Sequence, residues 1–313
     1  MIPILILFGP TGAGKTELLR NFFCAKDKVC NAEVISADSM QVYRGLDIGT
    51  AKPSAELCRL LPHHLINVMD PLEQFSAGKF VEMAQNAARE IHARGALSVM
   101  SGGTGFYLKT FIEGMPFSPP SNPLIREQLQ KELSETGNEK MMDMLRICDP
   151  LSAKRIHVND TYRLLRALEV FRICGRPLSS FDCRNYLNKN EFKFKIYGLQ
   201  WDRDKLYKRI NLRCDQMFRD GLVEEVRSLF AKGFTPQMPA FKAIGYREFF
   251  IKNENDEWAL SDKIDAVKDL VAQNSRHYAK RQITWFKKVQ NVEWINGSCI
   301  SDPSCCFSPI GLL

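Results

Sequence analysis

No two of the ten cysteines are spaced as Cys-x-x-Cys, and no Cys/His quartet has zinc spacing. That excludes a conventional zinc module and leaves no disulfide framework to read. The thiols are expected as small apolar fillers in a reducing compartment. Long hydrophobic runs are missing as well. The N-terminal apolar run stops at Phe8, too short for a signal peptide or a membrane span, so the expected location is the cytosol, with no membrane partner. Internal repeats and low-complexity tracts are also absent, which leaves out solenoids and disordered arrays. One absence is local: residues 270–292 contain neither Asp nor Glu.

What remains is the composition of an ordinary globular protein. The 313 residues are 45% hydrophobic and 25% charged, a length that suggests two domains. The formal net charge of +7 accords with an anionic partner without specifying one.

The strongest chemical signal is Gly9-Pro-Thr-Gly-Ala-Gly-Lys-Thr16, which fits the phosphate-loop pattern at Gly9, Gly14, Lys15 and Thr16. Pro10, Thr11, Gly12 and Ala13 fill the variable positions. An apolar run over Ile4–Phe8 leads in as a buried strand, and Glu17–Phe23 leads out as a helix. Glycines let backbone N–H groups close around phosphate oxygens, the helix start adds a positive dipole end, and Lys15 adds a full charge. The Thr16 hydroxyl is the candidate ligand for Mg²⁺.

Further strands are expected at 33–37, 97–100 and 194–201, alternating with helices at 75–94, 204–231 and 261–288. That alternation makes the fold α/β, a mostly parallel sheet flanked by helices. A proline-rich stretch at 114–123 marks a boundary, and the helical patterns at 124–135, 140–148, 150–156 and 160–174 read as an inserted helical domain. The expected division is a core of 1–115 with 195–313, and an insertion of 116–194.

Three strand-to-helix junctions, Gly9–Thr16, Asp38–Gln41 and Gly102–Tyr107, fall at the carboxyl edge of such a sheet, where ligands bind. Leu97-Ser-Val-Met-Ser-Gly-Gly carries no acid after its strand, so the usual magnesium-holding Asp of a kinase or ATPase is missing there. Asp38 fits a general base acting beside a diphosphate leaving group, but from spacing alone a loop or cap carboxylate fits it equally. The acid-free stretch places Arg276, Lys280 and Lys287 along one helical strip, with Arg281 and Lys288 nearby. Its residue pattern suits either a solvated face or RNA phosphates, and core packing is the ordinary role for Trp285 and Phe286.

The phosphate loop, Ile35-Ser-Ala-Asp38-Ser-Met-Gln-Val-Tyr-Arg44, Asp47-Ile-Gly-Thr-Ala-Lys-Pro53, Gly102-Gly-Thr-Gly-Phe-Tyr107, Ile244-Gly-Tyr-Arg247 and Tyr278-Ala-Lys-Arg-Gln-Ile-Thr-Trp285 occur in that order. Together, over residues 4–295, they resemble the bacterial type of the tRNA dimethylallyltransferase (isopentenyltransferase) family. The resemblance implies transfer of a dimethylallyl group from dimethylallyl diphosphate to the N6 amine of the tRNA adenosine 3′ to the anticodon. It implies a diphosphate in Gly9–Thr16 with Arg227 nearby, and Mg²⁺ at Thr16. Asp38, Thr104 and Lys15 would be catalytic. Segments facing tRNA would hold Asp38, Ser39, Met40, Gln41, Thr104, Arg126, Asn159, Asp160 and Arg163. Ile244, Gly245, Tyr246, Arg247, Arg276, Lys280, Arg281 and Gln282 would complete them. Asp47 is a secondary site residue for loop order, or a structural ion-pair member, as Arg227 could also be. The expected partner is the tRNA anticodon stem-loop and the expected state a monomer. No His follows His277, so the zinc finger of eukaryotic members is not expected and Cys299, Cys305 and Cys306 read as a tail. The rival readings are a P-loop kinase, a tRNA-binding protein without catalysis, and an adenylate isopentenyltransferase acting on free nucleotides.

Overall fold

The computed structural model describes residues 1–25, 30–114, 118–181 and 191–301. Strand β1 (Ile2–Phe8) is buried on both faces, as its unbroken apolar run requires, and sits inside the sheet. The phosphate loop leads from it into α1 (Lys15–Phe23), and β2 (Ala32–Ser36) follows. A long loop then runs to α2 (Ala55–Leu60) and the two-residue β3 (His63–His64). Helix α3 (Ala77–Ala93) starts at Ser76, whose hydroxyl accepts the Lys79 N–H, and stops at Gly95, whose φ of +72° an L side chain rarely adopts. Next come β4 (Leu97–Gly102) and α4 (Gly105–Glu113).

Helices α5 (Pro123–Cys148), α6 (Pro150–Ala153) and α7 (Thr161–Cys174) form the insertion. Gly137, at φ +79°, breaks α5 into the two helices the sequence pattern separates. The chain returns through β5 (Phe192–Gln200), α8 (Arg203–Arg219), α9 (Leu222–Ala231), β6 (Phe250–Lys252), β7 (Trp258–Leu260), α10 (Ile264–Phe286) and β8 (Val292–Asn296).

The main sheet has the order β3-β2-β4-β1-β5-β8 and every pairing in it is parallel. Leu5, Leu7, Val34, Val99, Leu199 and Ile295 meet Leu18, Leu19 and Phe23 of α1. The alternation of the strand turns Ile4 and Ile6 to the opposite face, where α3 packs.

Three features depart from the sequence pattern. The helical stretch over 204–231 is interrupted at Gly221, whose φ of +97° ends α8 and starts α9. The β6–β7 hairpin and edge strand β8 are additions, each too short to register as periodicity. Cys299 is not in a free tail. It lies in a 3-10 turn, Gly297–Ser301, whose Ile300 is buried in the main core and accepts a hydrogen bond from Asn21 Nδ2 at 3.0 Å. Cys305 and Cys306 lie outside the described residues, as do residues 115–117 and 182–190 around the expected domain boundaries. The chain divides into two compact units, Met1–Thr110 with Lys189–Leu313, and Phe111–Asn188. The second has its own core, with Leu129, Met141, Met142 and Leu145 against Leu164, Leu165 and Leu168. Among the described residues no helix is long and apolar enough to cross a membrane.

Candidate active site

The loop after β1 has left-handed backbone at Gly12 (φ +75°) and Gly14 (φ +83°), the second of which caps α1. Lys15 folds back over it, its Nζ donating to the carbonyls of Gly9 at 2.9 Å and Pro10 at 3.1 Å. Two side chains hold the loop from outside. Arg209 Nε donates to Gly12 O at 3.1 Å, and Trp201 Nε1 donates to Ala13 O at 3.0 Å, with the Arg209 guanidinium stacked 4.8 Å above the Trp201 ring. Burial, and after it Arg213, brings the Lys15 ammonium down to about 8, with Asp38 opposing. The Arg213 guanidinium is also lowered, by burial, and Asp38 again opposes. Two cations and one carboxylate thus share this edge.

The junctions after β2 and β4 are bound to each other by the backbone. Ala37 N donates to Ser101 O at 2.8 Å, and Thr104 N returns a bond to Ala37 O at 3.2 Å. A Cβ on Gly102 would stand 2.1 Å from Ala37 O, so only glycine permits this approach. Thr104 Oγ1 accepts the Ser39 N–H at 3.0 Å, and Asp38 Oδ1 accepts those of Met40 at 2.8 Å and Gln41 at 3.3 Å. Asp38 therefore turns its own loop while staying half-buried. The Tyr278 phenol lies beside the Thr104 and Gln282 side chains. Burial, then Asp38, pushes that phenol up to about 12.

Residues 47–53 are scaffold. Lys52 Nζ donates to Tyr43 O at 2.5 Å, Asp47 Oδ1 at 2.7 Å and Asn67 Oδ1 at 2.5 Å. Glu225 on α9 accepts the N–H groups of Asp47 at 3.1 Å, Ile48 at 2.9 Å and Gly49 at 3.4 Å, and the Tyr246 hydroxyl at 2.5 Å. Burial and the Glu225 carboxylate hold the Tyr246 phenol far above its ordinary value.

Several residues expected to meet diphosphate or tRNA are engaged by partners within the protein. Arg227 is exposed on α9 with Glu224 as its ion-pair partner at 3.9 Å, and the arginines at the loop are Arg209 and Arg213. Tyr246 is fully buried and Gly245 packs against Gly49, so this segment braces the 47–53 loop; Ile244 is half-buried and Arg247 is exposed beside Glu248. The Gln41 carboxamide is engaged internally, accepting from Ser36 Oγ at 3.0 Å and donating to the carbonyls of Thr50 and Ala51, both at 3.2 Å. Gln282 is buried and bonded within the core unit. Arg126 is partly buried at Glu169, 3.5 Å away, and stacks on Tyr162.

Others remain open to solvent. Thr16, Asn159, Arg163, Lys280 and Arg281 are exposed, Ser39 and Met40 are half-buried, and Asp160 caps α7 by accepting the Arg163 N–H. Arg276 is half-buried and donates to Asn211 Oδ1 at 2.6 Å. Arg209, Arg213 and Glu225, on a helical stretch, and Trp201, at the end of a strand, carried no sequence signal for these positions, whereas Tyr278 opens the Tyr278–Trp285 motif.

Between α10, α8 and the β5–β8 edge of the sheet lies a groove of about 880 Å³ reaching Pro10 of the loop. Arg203, Arg276, Lys280 and Lys287 line it together with Trp201 and Trp294, and no acid is among the described residues that do.

A family model described as IPP transferase matches residues 41–289. The tRNA dimethylallyltransferase of Geobacter sulfurreducens is 41% identical over 292 residues, 93% of this chain and 91% of that one. The tRNA dimethylallyltransferase of Alkaliphilus oremlandii is 40% identical over 294 residues, 94% of this chain and 91% of that one. The chain belongs to the tRNA dimethylallyltransferase family. Members are transferases, and so is this protein. Among solved structures, the full-length tRNA isopentenylpyrophosphate transferase of Bacillus halodurans is 36% identical with a TM-score of 0.65, covering 95% of this chain and 90% of that one. A eukaryotic dimethylallyltransferase acting on tRNA has a TM-score of 0.78 at 26% identity, covering 98% of this chain and 76% of that one.

Proposed function

We propose that the chain transfers a dimethylallyl group from dimethylallyl diphosphate to the N6 amine of the tRNA adenosine 3′ to the anticodon, releasing diphosphate. One observation carries the reading. A phosphate cradle meets a carboxylate and a hydroxyl at one sheet edge, while β4 ends in Ser101-Gly102 without the acid that phosphoryl transfer calls for.

The diphosphate lies in Gly9–Thr16 with Lys15 and Arg213 as its cations. The amine nitrogen attacks C1 of the allyl chain. The C1–O bond breaks, its electron pair leaves with the diphosphate, and the N6 proton passes to Asp38. Thr104 hydrogen-bonds the amine, and Ser39 and Met40 border the extruded base, which an already unpaired loop makes inexpensive to splay out. Negative charge grows on the departing diphosphate, so cations fixed beside it favour the transition state over the ground state.

Among the described residues no three His, Cys, Asp or Glu side chains are grouped to hold a metal. The exposed Thr16 hydroxyl, with phosphate oxygens, is instead the hard, oxygen-only donor set that suits Mg²⁺, which when bound would neutralise charge on the diphosphate. Arg276, Lys280 and Arg281, and in the inserted unit Asn159 and Arg163, are assigned to RNA phosphates; the acid-free groove that Arg276 and Lys280 line supports the choice of those two, and the exposure of Arg281, Asn159 and Arg163 suits the rest. The reading takes the protein as a cytosolic monomer.

The test is incubation with dimethylallyl diphosphate, Mg²⁺ and an unmodified anticodon stem-loop, with free AMP in parallel. Prenyl mass on the RNA adenosine alone is expected. Prenyl mass on AMP would move the protein to the nucleotide-modifying enzymes, and phosphoryl transfer from ATP in place of either would make it a kinase.

A further inference from the structure

Gln282 sits on α10 next to Arg281 and two residues beyond Lys280, yet its side chain turns inward and is only 5% exposed. Its Oε1 accepts the Thr11 N–H of the phosphate loop at 2.8 Å. Its Nε2 donates to the carbonyl of Gly103 at 2.8 Å, the residue before Thr104. This pair of bonds fixes the orientation of the amide, oxygen toward an N–H and nitrogen toward a C=O. The fit is close. A Cβ on Gly103 would stand 2.4 Å from Gln282 Nε2. One turn earlier on the same helix, Tyr278 lies beside Thr104.

The loop after β1 and the turn after β4 are neighbours in the sheet, but nothing in the β1–β4 ladder extends past the pairing of Phe8 with Gly102. Beyond that point, Gln282 spans the gap between them. We propose that Gln282 is a positioning residue, whose carboxamide sets the distance between the diphosphate loop and the Thr104 turn and so holds the electrophilic carbon in line with the amine. This rests on the transfer reaction proposed above. A carboxamide is suited to the task because it accepts and donates at once, whereas a carboxylate of the same length can only accept.

The test compares wild type with Gln282→Glu and Gln282→Met, both close to Gln in length. Gln282→Glu keeps the acceptor for Thr11 but sets a carboxylate against the Gly103 carbonyl; Gln282→Met loses both bonds. Three quantities are read: kcat at saturating substrates, the Kd for inorganic pyrophosphate with Mg²⁺, and the Kd for the stem-loop, with a thermal midpoint for each variant. A misplaced pair of reactants costs up to about a hundredfold, so kcat is expected to fall between about tenfold and a hundredfold while both Kd values stay within about threefold of wild type. Unchanged kcat overturns the proposal. Loss of stem-loop affinity with kcat preserved at saturation also overturns it, and makes Gln282 an RNA contact. Loss of the folding transition in both variants overturns it in favour of a purely structural tie. Wild-type protein without prenyl transfer would instead remove the reading of the reaction, a separate outcome seen before any variant is compared.

Discussion

Asp38 and Lys15 carry opposite charges at the same sheet edge, and each has a distinct experimental signature. Asp38 Oδ1 accepts two backbone N–H groups, an arrangement that orients the carboxylate. Asp38→Ala is expected to lower turnover at least about a hundredfold, the low end for loss of a general base, with stem-loop binding retained. Near-normal turnover would take Asp38 out of the proton transfer. Burial, and after it Arg213, brings Lys15 down from its ordinary 10.5 to about 8. Its charge is present below that value and lost above it, so its contribution to diphosphate binding should fade as pH rises through it. The ratio of wild-type to Lys15→Met affinity for pyrophosphate should therefore fall between about pH 7 and about pH 9; a flat ratio would contradict the depressed value. For stability the sign is reversed. The unfolded chain holds this proton more tightly, so burying the charged Lys15 opposes folding below about 8, and that opposition diminishes from there to 10.5.

Among the elements, α9 does the least visible work and supports the most. Gly221 frees it from the direction of α8, and Leu222, Val226 and Leu229 bury one face. That seats Glu225 against three consecutive N–H groups at 47–49 and the Tyr246 hydroxyl. The 47–53 segment in turn supplies the Thr50 and Ala51 carbonyls that hold Gln41, three residues from Asp38. Glu225→Ala leaves those donors without an acceptor and should cost about 2–3 kcal/mol in urea unfolding. It should also lower kcat, since the loop that carries Asp38 loses its brace. Full activity with lowered stability would show the brace to be remote from the chemistry. The motif at 47–53 is distinctive in the sequence for this reason: a loop with almost no regular structure must satisfy its backbone through specific side chains.

For the molecule as a whole, RNA affinity should be set by the basic face of α10 and should depend on salt. Arg281 is exposed over the Tyr278 ring, 5.7 Å from its centroid. Arg281→Ala is expected to weaken stem-loop binding and reduce the log–log salt slope by about 0.7, the loss of one phosphate contact on an unpaired strand. A change confined to pyrophosphate affinity would remove Arg281 from the RNA face.

Local patterns were enough to locate the phosphate loop, the Asp38 and Thr104 junctions, the parallel α/β architecture and the helices of the insertion. Strand periodicity, glycine punctuation and loop spacing are properties of neighbouring residues, and ordered motifs place them along one sheet edge. Tertiary structure alone decided the partners. Gln282 meets Thr11 across 271 positions and Gly103 across 179, and Glu225 meets Ile48 across 177. It also decided that Arg213 acts on Lys15, while Arg227, in the same helical stretch of sequence, is exposed and pairs with Glu224. The break at Gly221 turns α9 away from α8, and no helical period carried across that break could assign their faces correctly.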